Sequence, residues 1–257
     1  MRTVIVTQQE PFYIPMLVDK VLSELKNIVG IIILPGIPSG FNLVSYVKGL
    51  YDIFGLRDFL TYGALFTYYK MHDLTSRWRR NQFPHSIQSV ARRNAVPVYR
   101  LKSINSRKAL ELVKSLSPEI LISVASPQIF NKRLISLANH VVNIHAALLP
   151  QYQGMMPSFW VLADGKEGTG VTVHYMDEHI DTGDIILQRA IDISSEDTLH
   201  SLQRKVAKTG AVALLEALAM IEENRVTRIR PSGPSSYYSF PTKEAAVKFR
   251  QRGRKFI

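Results

Sequence analysis

The stretch NIHAALLPQYQG, from Asn143 to Gly154, places an amide and an imidazole at alternate positions of an apolar strand. Alternate side chains of a strand project to the same face, so Asn143 and His145 can converge on one ligand atom. Two hydrogen-bond donors aimed at one point suit an oxygen that gains negative charge during a reaction. The pattern therefore indicates an oxyanion site, and a polar pair satisfied at a strand end is the alternative.

A second polar stretch, MDEHIDTGDI, contains Asp181 between Ile180 and the turn residues Thr182 and Gly183. A carboxylate there can face His145 across a crevice, where it would raise the pKa of the imidazole and hold it as a donor. An aspartate before Thr-Gly also commonly forms an Asx turn with its own backbone. The loop is thus a candidate partner of the strand, with a local turn as the other interpretation.

The elements that position these residues follow a β-α-β order from the start of the chain. TVIVT (3–7) and IVGIIILP (28–35) are continuous apolar strands, and residues 14–25 place Leu17, Val21 and Leu25 on one helical face. This order predicts an α/β fold with a mostly parallel, twisted sheet and helices on both faces. The intervening turn QQEPFY has no glycine, so a dinucleotide-binding site is not predicted.

The alternation continues toward the carboxyl end of the chain. We expect helices over 86–94 and 106–116, strands VPVY, EILISVA, VVNI, GVTVHYM and DIILQRAIDI, and a long helix after the acidic turn SSEDT. The segment RPSGPSS (230–236) predicts the end of the compact domain. The expected organisation is a catalytic domain at 1–229 and a basic C-terminal extension at 230–257.

Composition narrows the function classes. The chain of 257 residues has no cysteine, which excludes disulfides, thiolate metal sites and a cysteine nucleophile, and which permits a cytoplasmic location. Its net charge of +11 is concentrated after residue 224, where nine Lys or Arg residues face one acid, Glu244. A solvated basic tail is the favoured interpretation, nucleic acid is an unlikely partner, and binding of another anionic partner is the alternative.

An aromatic segment over residues 41–85 interrupts the α/β order. Its core, Phe41 to Leu74, predicts two short amphipathic helices with one buried face, formed by Leu43, Val47, Leu50, Phe54, Phe59, Leu60, Gly63 and Phe66. A homodimer interface or an extra layer over the sheet edge is the favoured role. Peripheral contact with a membrane, together with the basic tail, is the alternative.

Both motifs resemble those of the folate-dependent formyltransferases. NIHAALLPQYQG is similar to that family's Asn-x-His-x-x-Leu-Leu-Pro-x-x-x-Gly signature, and MDEHIDTGDI is similar to its aspartate loop, in the same order. The resemblance implies a Rossmann-like formyltransferase fold, 10-formyl-tetrahydrofolate as co-substrate, and Asn143, His145 and Asp181 as the catalytic residues. It implies no metal.

The family also suggests which loops bind the two substrates. By this resemblance, folate would be held by Pro127, Gln128, Ile129, His179 and Ile180. We also expect Gln9, Glu10, Gly154, Met155 and Met156 to lie on the acceptor side, and a tight turn with core methionines is the alternative for residues 154–156.

The acceptor is expected to be a small molecule with a primary amine. The turn after the first strand lacks the glycine-rich phosphate loop of glycinamide ribonucleotide formyltransferases. We also do not expect the C-terminal barrel domain of methionyl-tRNA formyltransferases within these 257 residues. An amino sugar, usually nucleotide-linked in this family, is therefore the favoured acceptor. A methionyl-tRNA formyltransferase-like enzyme, a formyl-tetrahydrofolate hydrolase and a non-catalytic folate-binding protein stay open.

Overall fold

The computed structural model describes residues 1–38, 40–76 and 84–257 of the chain. Its strands are β1 (Thr3–Gln8), β2 (Ile28–Leu34), β3 (Val98–Arg100), β4 (Ile120–Val124), β5 (His140–His145), β6 (Gln153–Gly154), β7 (Gly168–Tyr175), β8 (Ile185–Asp192) and β9 (Tyr237–Tyr238). Its helices are α1 (Ile14–Glu24), α2 (Leu43–Ser76), α3 (Ile87–Arg93), α4 (Arg107–Leu116), α5 (Lys132–Ile135), α6 (Pro157–Ala163), α7 (Leu199–Glu222) and α8 (Lys243–Gln251).

Seven strands form one sheet in the order β3-β2-β1-β4-β5-β7-β8. The first five are parallel to one another, and β7 joins β5 in the antiparallel sense before β8 pairs antiparallel to β7. Because helices cover both faces, β1, β2 and β4 are nearly continuous runs of Ile, Leu and Val. The predicted mostly parallel α/β fold is therefore confirmed.

Two apolar layers flank the sheet. The larger contains α1, α6, α7 and α8, and it packs on Ile5, Ile122 and Val142. The smaller contains α4 and α5, and it packs on Val4, Val6 and Leu121. Successive residues of β1 thus point to opposite layers, as the strand period requires. The carboxyl ends of β1, β4 and β5 meet at one edge of the sheet.

The aromatic segment differs from its sequence-based prediction. Helix α2 is 34 residues long and is broken at Gly55, whose φ of 68° and ψ of 172° are not helical. Its buried side chains include Ile53 and Phe54, whereas Leu43 and Leu60 are exposed. The predicted buried face is therefore wrong at Leu43 and Leu60, and Val47 and Phe66 are exposed as well, because burial in α2 is concentrated next to the break, at Ile53 and Phe54. The part of the predicted segment at 77–83 lies outside the described residues.

The predicted basic extension takes part in the main core. Strand β9 pairs with β6, and α8 buries Ala245, Ala246 and Phe249 in the larger layer. The Arg250 guanidinium donates to the backbone oxygen of Ile53 at 2.7 Å, which ties α8 to the break in α2. In the structure this segment is thus packed against the rest of the molecule.

Among the described residues, no helix is both long and apolar enough to cross a membrane.

Candidate active site

The loop between β7 and β8 brings Asp181 to the end of β5. Asp181 Oδ2 lies 3.4 Å from His145 Nδ1, and Asp181 Oδ1 lies 3.4 Å from Asn143 Nδ2. The side chains of His145 and Asp181 are 6% and 11% exposed. The three predicted catalytic side chains are therefore gathered in one largely buried cluster.

His174 is a fourth member of this cluster, and the sequence analysis did not single it out. It lies opposite Asn143 in the β5–β7 ladder, and its Nε2 is 3.1 Å from Asn143 Nδ2. Its Nδ1 is 2.8 Å from the Tyr175 carbonyl oxygen, which can only accept, so in the neutral ring Nε2 is the acceptor for the Asn143 amide. The signal that could have found it is a histidine at the second-last position of β7, the strand that precedes the aspartate loop.

The protonation of the cluster differs from the prediction for His145. Burial lowers the pKa of His145, and this effect outweighs Asp181, which raises it. His145 Nε2 is 2.8 Å from the Tyr152 carbonyl oxygen, so the neutral ring carries its proton on Nε2 and leaves Nδ1 facing Asp181. The expectation that the pKa of His145 is raised is thus wrong, because desolvation disfavours the imidazolium more than Asp181 favours it.

Asp181 itself is held as an anion. Burial raises the pKa of its carboxyl group, but the charge that His145 and His174 carry when they are protonated, together with the N–H of Gly154, lowers it to about 2. The Gly154 N–H donates to Asp181 Oδ2 at 2.9 Å, and the Gln153 amide donates to the Asp181 carbonyl oxygen at 3.0 Å. A neutral imidazole beside a fixed carboxylate can accept a proton and then be stabilised as an ion pair.

The backbone around the cluster is held in left-handed conformations. Ala125, Tyr152, Met156 and Asp181 have φ values of 50°, 57°, 50° and 54°. Such conformations are uncommon outside glycine and gather at functional sites, where the surrounding structure must hold them. Gly183 permits the return of the aspartate loop, because a Cβ there would lie 1.9 Å from the Tyr175 carbonyl oxygen.

A family model described as formyl transferase matches residues 65–218, which is more than half of the chain. The chain belongs to the formyl transferase family. The matched region contains β5, the aspartate loop and His174.

Individual relatives of this chain agree with the family match. The methionyl-tRNA formyltransferase of Anaeromyxobacter sp. (strain K) is 38% identical over 141 residues, which is 54% of this chain and 45% of that protein. The methionyl-tRNA formyltransferase of Clostridioides difficile (strain 630) is 36% identical over 143 residues, 55% of this chain and 46% of that protein. The matches thus span about half the length of these curated relatives.

Solved structures confirm the fold. An N-formyltransferase from Helicobacter canadensis, solved with folinic acid and dTDP-3-aminofucose, gives a TM-score of 0.60 at 18% identity and covers 93% of this chain and 71% of that one. Glycinamide ribonucleotide transformylase 1 from Symbiobacterium toebii gives a TM-score of 0.60 at 16% identity and covers 90% of this chain and 95% of that one. At these identities the likeness concerns the formyltransferase fold alone.

The loops predicted to bind folate lie beside the smaller layer. The Gln128 side chain accepts from the Ile104 N–H at 2.9 Å and donates to the Lys102 carbonyl oxygen at 2.9 Å. Ile129 is exposed, and the N–H of His179 donates to Asp177 at 2.8 Å. Gln128 thus holds its loop in place in the structure, and folate contact by Pro127, Gln128, Ile129, His179 and Ile180 stays a prediction.

Of the residues predicted to bind the acceptor, some line a cavity and others lie outside it. The carboxylate of Glu10 is bound by backbone N–H groups at the start of α1, and Gly154 is bound by Asp181. The N–H of Met155 donates to the Tyr238 carbonyl oxygen at 2.9 Å. Gln9, Glu10 and Met156 line a cavity of about 670 Å³ on the side of the larger layer, whereas Gly154 and Met155 do not line it.

Within the described residues, no three His, Asp or Glu side chains are grouped so that they could hold a metal ion.

Proposed function

We propose that this chain transfers a formyl group from 10-formyl-tetrahydrofolate to a primary amine of a small acceptor. The observation that carries the proposal is the buried contact set in which Asp181 lies within 3.4 Å of both Asn143 and His145. Membership of the formyl transferase family supports the reaction type, and the folinic acid in the Helicobacter canadensis N-formyltransferase structure supports the donor.

The reaction balances without a further reactant. The amine nitrogen attacks the formyl carbon, a new C–N bond forms, and the bond from that carbon to the folate nitrogen breaks. The amine loses one proton and the released folate nitrogen gains one, so the products are a formamide and tetrahydrofolate. Between these steps the formyl oxygen carries negative charge.

Each residue of the cluster has a role in this scheme. Asn143 Nδ2 exchanges its long contact with Asp181 for the developing oxyanion, while His174 holds the other hydrogen of the amide. Neutral His145 takes up the proton of the amine on Nδ1, and Asp181 stabilises the imidazolium that results. Donors on a rigid strand end cost little reorganisation at the moment of reaction.

Formyl-group accounting tests the proposal. The full chain is incubated with 10-formyl-tetrahydrofolate and a panel of primary amines, and three products are followed: the formylated amine by mass, tetrahydrofolate by absorbance, and formate. We expect equal amounts of formamide and tetrahydrofolate. Formate release without any amine would instead show a hydrolase, and donor binding without turnover would show a folate-binding protein.

Methionyl-tRNA is a second candidate acceptor. It is favoured by the 38% identity to the Anaeromyxobacter methionyl-tRNA formyltransferase and by the net charge of +11, which suits a polyanion. Adding methionyl-tRNA to the same panel of amines decides between methionyl-tRNA and a small molecule as the acceptor. Transfer to methionyl-tRNA at a kcat/KM well above that of every small amine would replace the small-molecule assignment, including the amino sugar suggested by the resemblance.

The outer face of α2 supports a homodimer. Leu56, Leu60, Tyr68, Met71 and Leu74 lie on one helical face and are 49–62% exposed. Residues 56–74 contain two basic and two acidic side chains, Arg57, Lys70, Asp58 and Asp73, whereas anionic membrane surfaces attract segments rich in Lys and Arg. We therefore infer that a second copy of the chain covers this face through a two-fold contact.

Sedimentation of the full chain tests the dimer. Leu60→Glu is expected to shift a concentration-dependent dimer to monomer, whereas Lys108→Glu on the distant, solvent-facing part of α4 should leave it unchanged. A parent chain that is monomeric at every concentration and floats with phosphatidylserine vesicles would assign the face to a membrane instead.

A further inference from the structure

The cavity on the side of the larger layer lies between the start of α1, both halves of α2, the start of α6 and helix α7. Its volume of about 670 Å³ is in the range of small-molecule sites. Ile144 and Ala146, the neighbours of His145, are among its lining residues. Since Ala146 follows the end of β5, a molecule in the cavity can reach the catalytic cluster over the edge of the sheet.

The donor and the acceptor would thus approach the cluster from opposite faces. The loop after β4 packs toward the smaller layer through Ile104 and Phe130, whereas the cavity opens toward α1 and α7 of the larger layer. The side chains of Asn143 and His145 lie on the same face of β5 as Val141, which packs in the smaller layer, and they stand at the carboxyl end of the strand, where the two faces meet. This arrangement leaves the cavity as the space for the acceptor when folate occupies the loops.

The lining of the cavity is mainly apolar and aromatic. Helix α2 contributes Tyr46, Leu50, Phe54, Phe59, Tyr62 and Phe66. Among the described residues that line it, Glu10 is the only one with an acidic or basic side chain, so no Lys, Arg or His is there to pair with a phosphate. Bound phosphates usually need such cations or free backbone N–H groups.

The backbone N–H groups at the start of α1 are already used. Glu10 accepts from the N–H of Phe12 at 2.7 Å, from that of Tyr13 at 2.8 Å, and from that of Ile14. Pro15, the next residue, has no N–H. The position where a helix N-terminus would bind an acceptor's phosphate is therefore filled by the carboxyl group of Glu10, whose pKa is raised by burial, and these N–H groups are not available to a second anion.

One polar group in the cavity is without a partner. Both side-chain amide atoms of Gln9 are buried and make no hydrogen bond to the described residues. Gln9 lines the cavity beside Glu10, and a buried amide without partners is costly unless a ligand supplies them. It could orient one polar group of an otherwise apolar molecule.

Resting on the proposed function, we propose that the acceptor is a primary amine carried on an apolar aliphatic or aromatic body without phosphate. The body fills the cavity against α2, and the amine reaches the cluster over Ala146. Helix α2 thus has two faces with different uses, since the inner one selects the acceptor and the outer one contacts a second copy.

A homologous series of alkylamines from propylamine to octylamine tests the proposal. With saturating 10-formyl-tetrahydrofolate and the full chain, KM should fall roughly fourfold for each added methylene until the cavity is filled. The amine of dTDP-3-aminofucose should be transferred far more slowly. A KM that does not change with chain length, or a preference for the nucleotide-linked amine, overturns the assignment.

A matched pair of leucine variants on α2 tests whether the dependence of KM on chain length arises in this cavity. Leu50 lines the cavity, whereas Leu43 on the same half of α2 is 62% exposed. Leu50→Ala should raise the KM for octylamine by about tenfold with little change for propylamine, and Leu43→Ala should change neither. Circular dichroism checks that both variants fold. Equal KM values for octylamine in the two variants contradict binding in this cavity.

Failure of the inference is distinguishable from failure of the proposed function. If dTDP-3-aminofucose alone is formylated, transfer stands and the acceptor class is wrong. If no amine is formylated but octylamine raises the Tm of the parent and not of Leu50→Ala, the cavity assignment stands and the transfer reaction is wrong. If octylamine is neither formylated nor raises the Tm, both the transfer reaction and the cavity assignment are wrong.

Discussion

The catalytic cluster and the α2 cavity are adjacent and are built in contrasting ways. The cluster joins two short stretches of chain through polar contacts that leave few groups exposed, whereas the cavity joins residues from Gln8 to Ala207 through apolar surface. The family match at 65–218 contains the whole cluster but omits β1, α1 and the first half of α2. The shared part thus contains the residues proposed to be catalytic, and the part outside the match contributes much of the cavity lining.

The largest expected effect tests the cluster. Asp181→Asn should lower kcat by about 10²- to 10³-fold, because the imidazolium of His145 and the amide of Asn143 both lose their anionic partner. Formyl transfer to a saturating amine is the measurement. Asp184→Asn in the same loop is the control and should retain nearly full activity. A similar loss in both variants would point to disturbance of the loop rather than to the cluster.

Gly154→Ala tests how strongly the backbone at Gly154 and the pairing of β6 with β9 stabilise the region around the cluster. Gly154 has a φ of 94°, and a Cβ there would lie 2.3 Å from the Tyr238 carbonyl oxygen. We expect the free energy of unfolding to fall by about 2–3 kcal/mol, since both the conformation and the β6–β9 contact resist a side chain. Urea unfolding measures the loss. An unchanged midpoint would show that β6 and β9 separate at little cost.

Acid unfolding tests the contribution of the cluster to stability independently of the cavity. The folded-state pKa of Asp181 is about 2, below the ordinary value of 3.8, so its contribution to stability is present above about pH 4 and is lost as the pH falls toward 2. This contribution is about 2 kcal/mol. Between pH 5 and 2 the parent should therefore lose that much more unfolding free energy than Asp181→Asn. Leu50→Ala should follow the parent, and parallel curves for parent and Asp181→Asn would contradict the assignment.

The smallest effect concerns His174 as a positioning residue for Asn143. His174→Leu removes the acceptor of one amide hydrogen, so kcat should fall by up to about tenfold with KM unchanged. His174→Gln retains an acceptor oxygen and should recover part of kcat. A loss confined to KM, or equal losses in both variants, would indicate that His174 acts only in packing.

The elements of the sheet were predictable because their signals are local. The apolar runs of β1, β2 and β4 and the capping residues Ser106 and Thr198 indicate strand and helix positions without any tertiary contact. The motif around Asn143 and His145 likewise indicated a shared face, because the strand period alone determines it. The sequence also indicated that Asp181 can approach them, through the spacing shared with the formyltransferases.

Other features depended on contacts between distant parts of the chain. Burial decides that His145 is neutral, and the pairing of β7 with β5 decides that His174 joins the cluster. The break at Gly55 and the packing of α8 decide which face of α2 is buried. The sequence determined the reactive residue types, whereas only the tertiary structure decided their protonation and the apolar space beside them, because desolvation and enclosure arise when separate elements pack together.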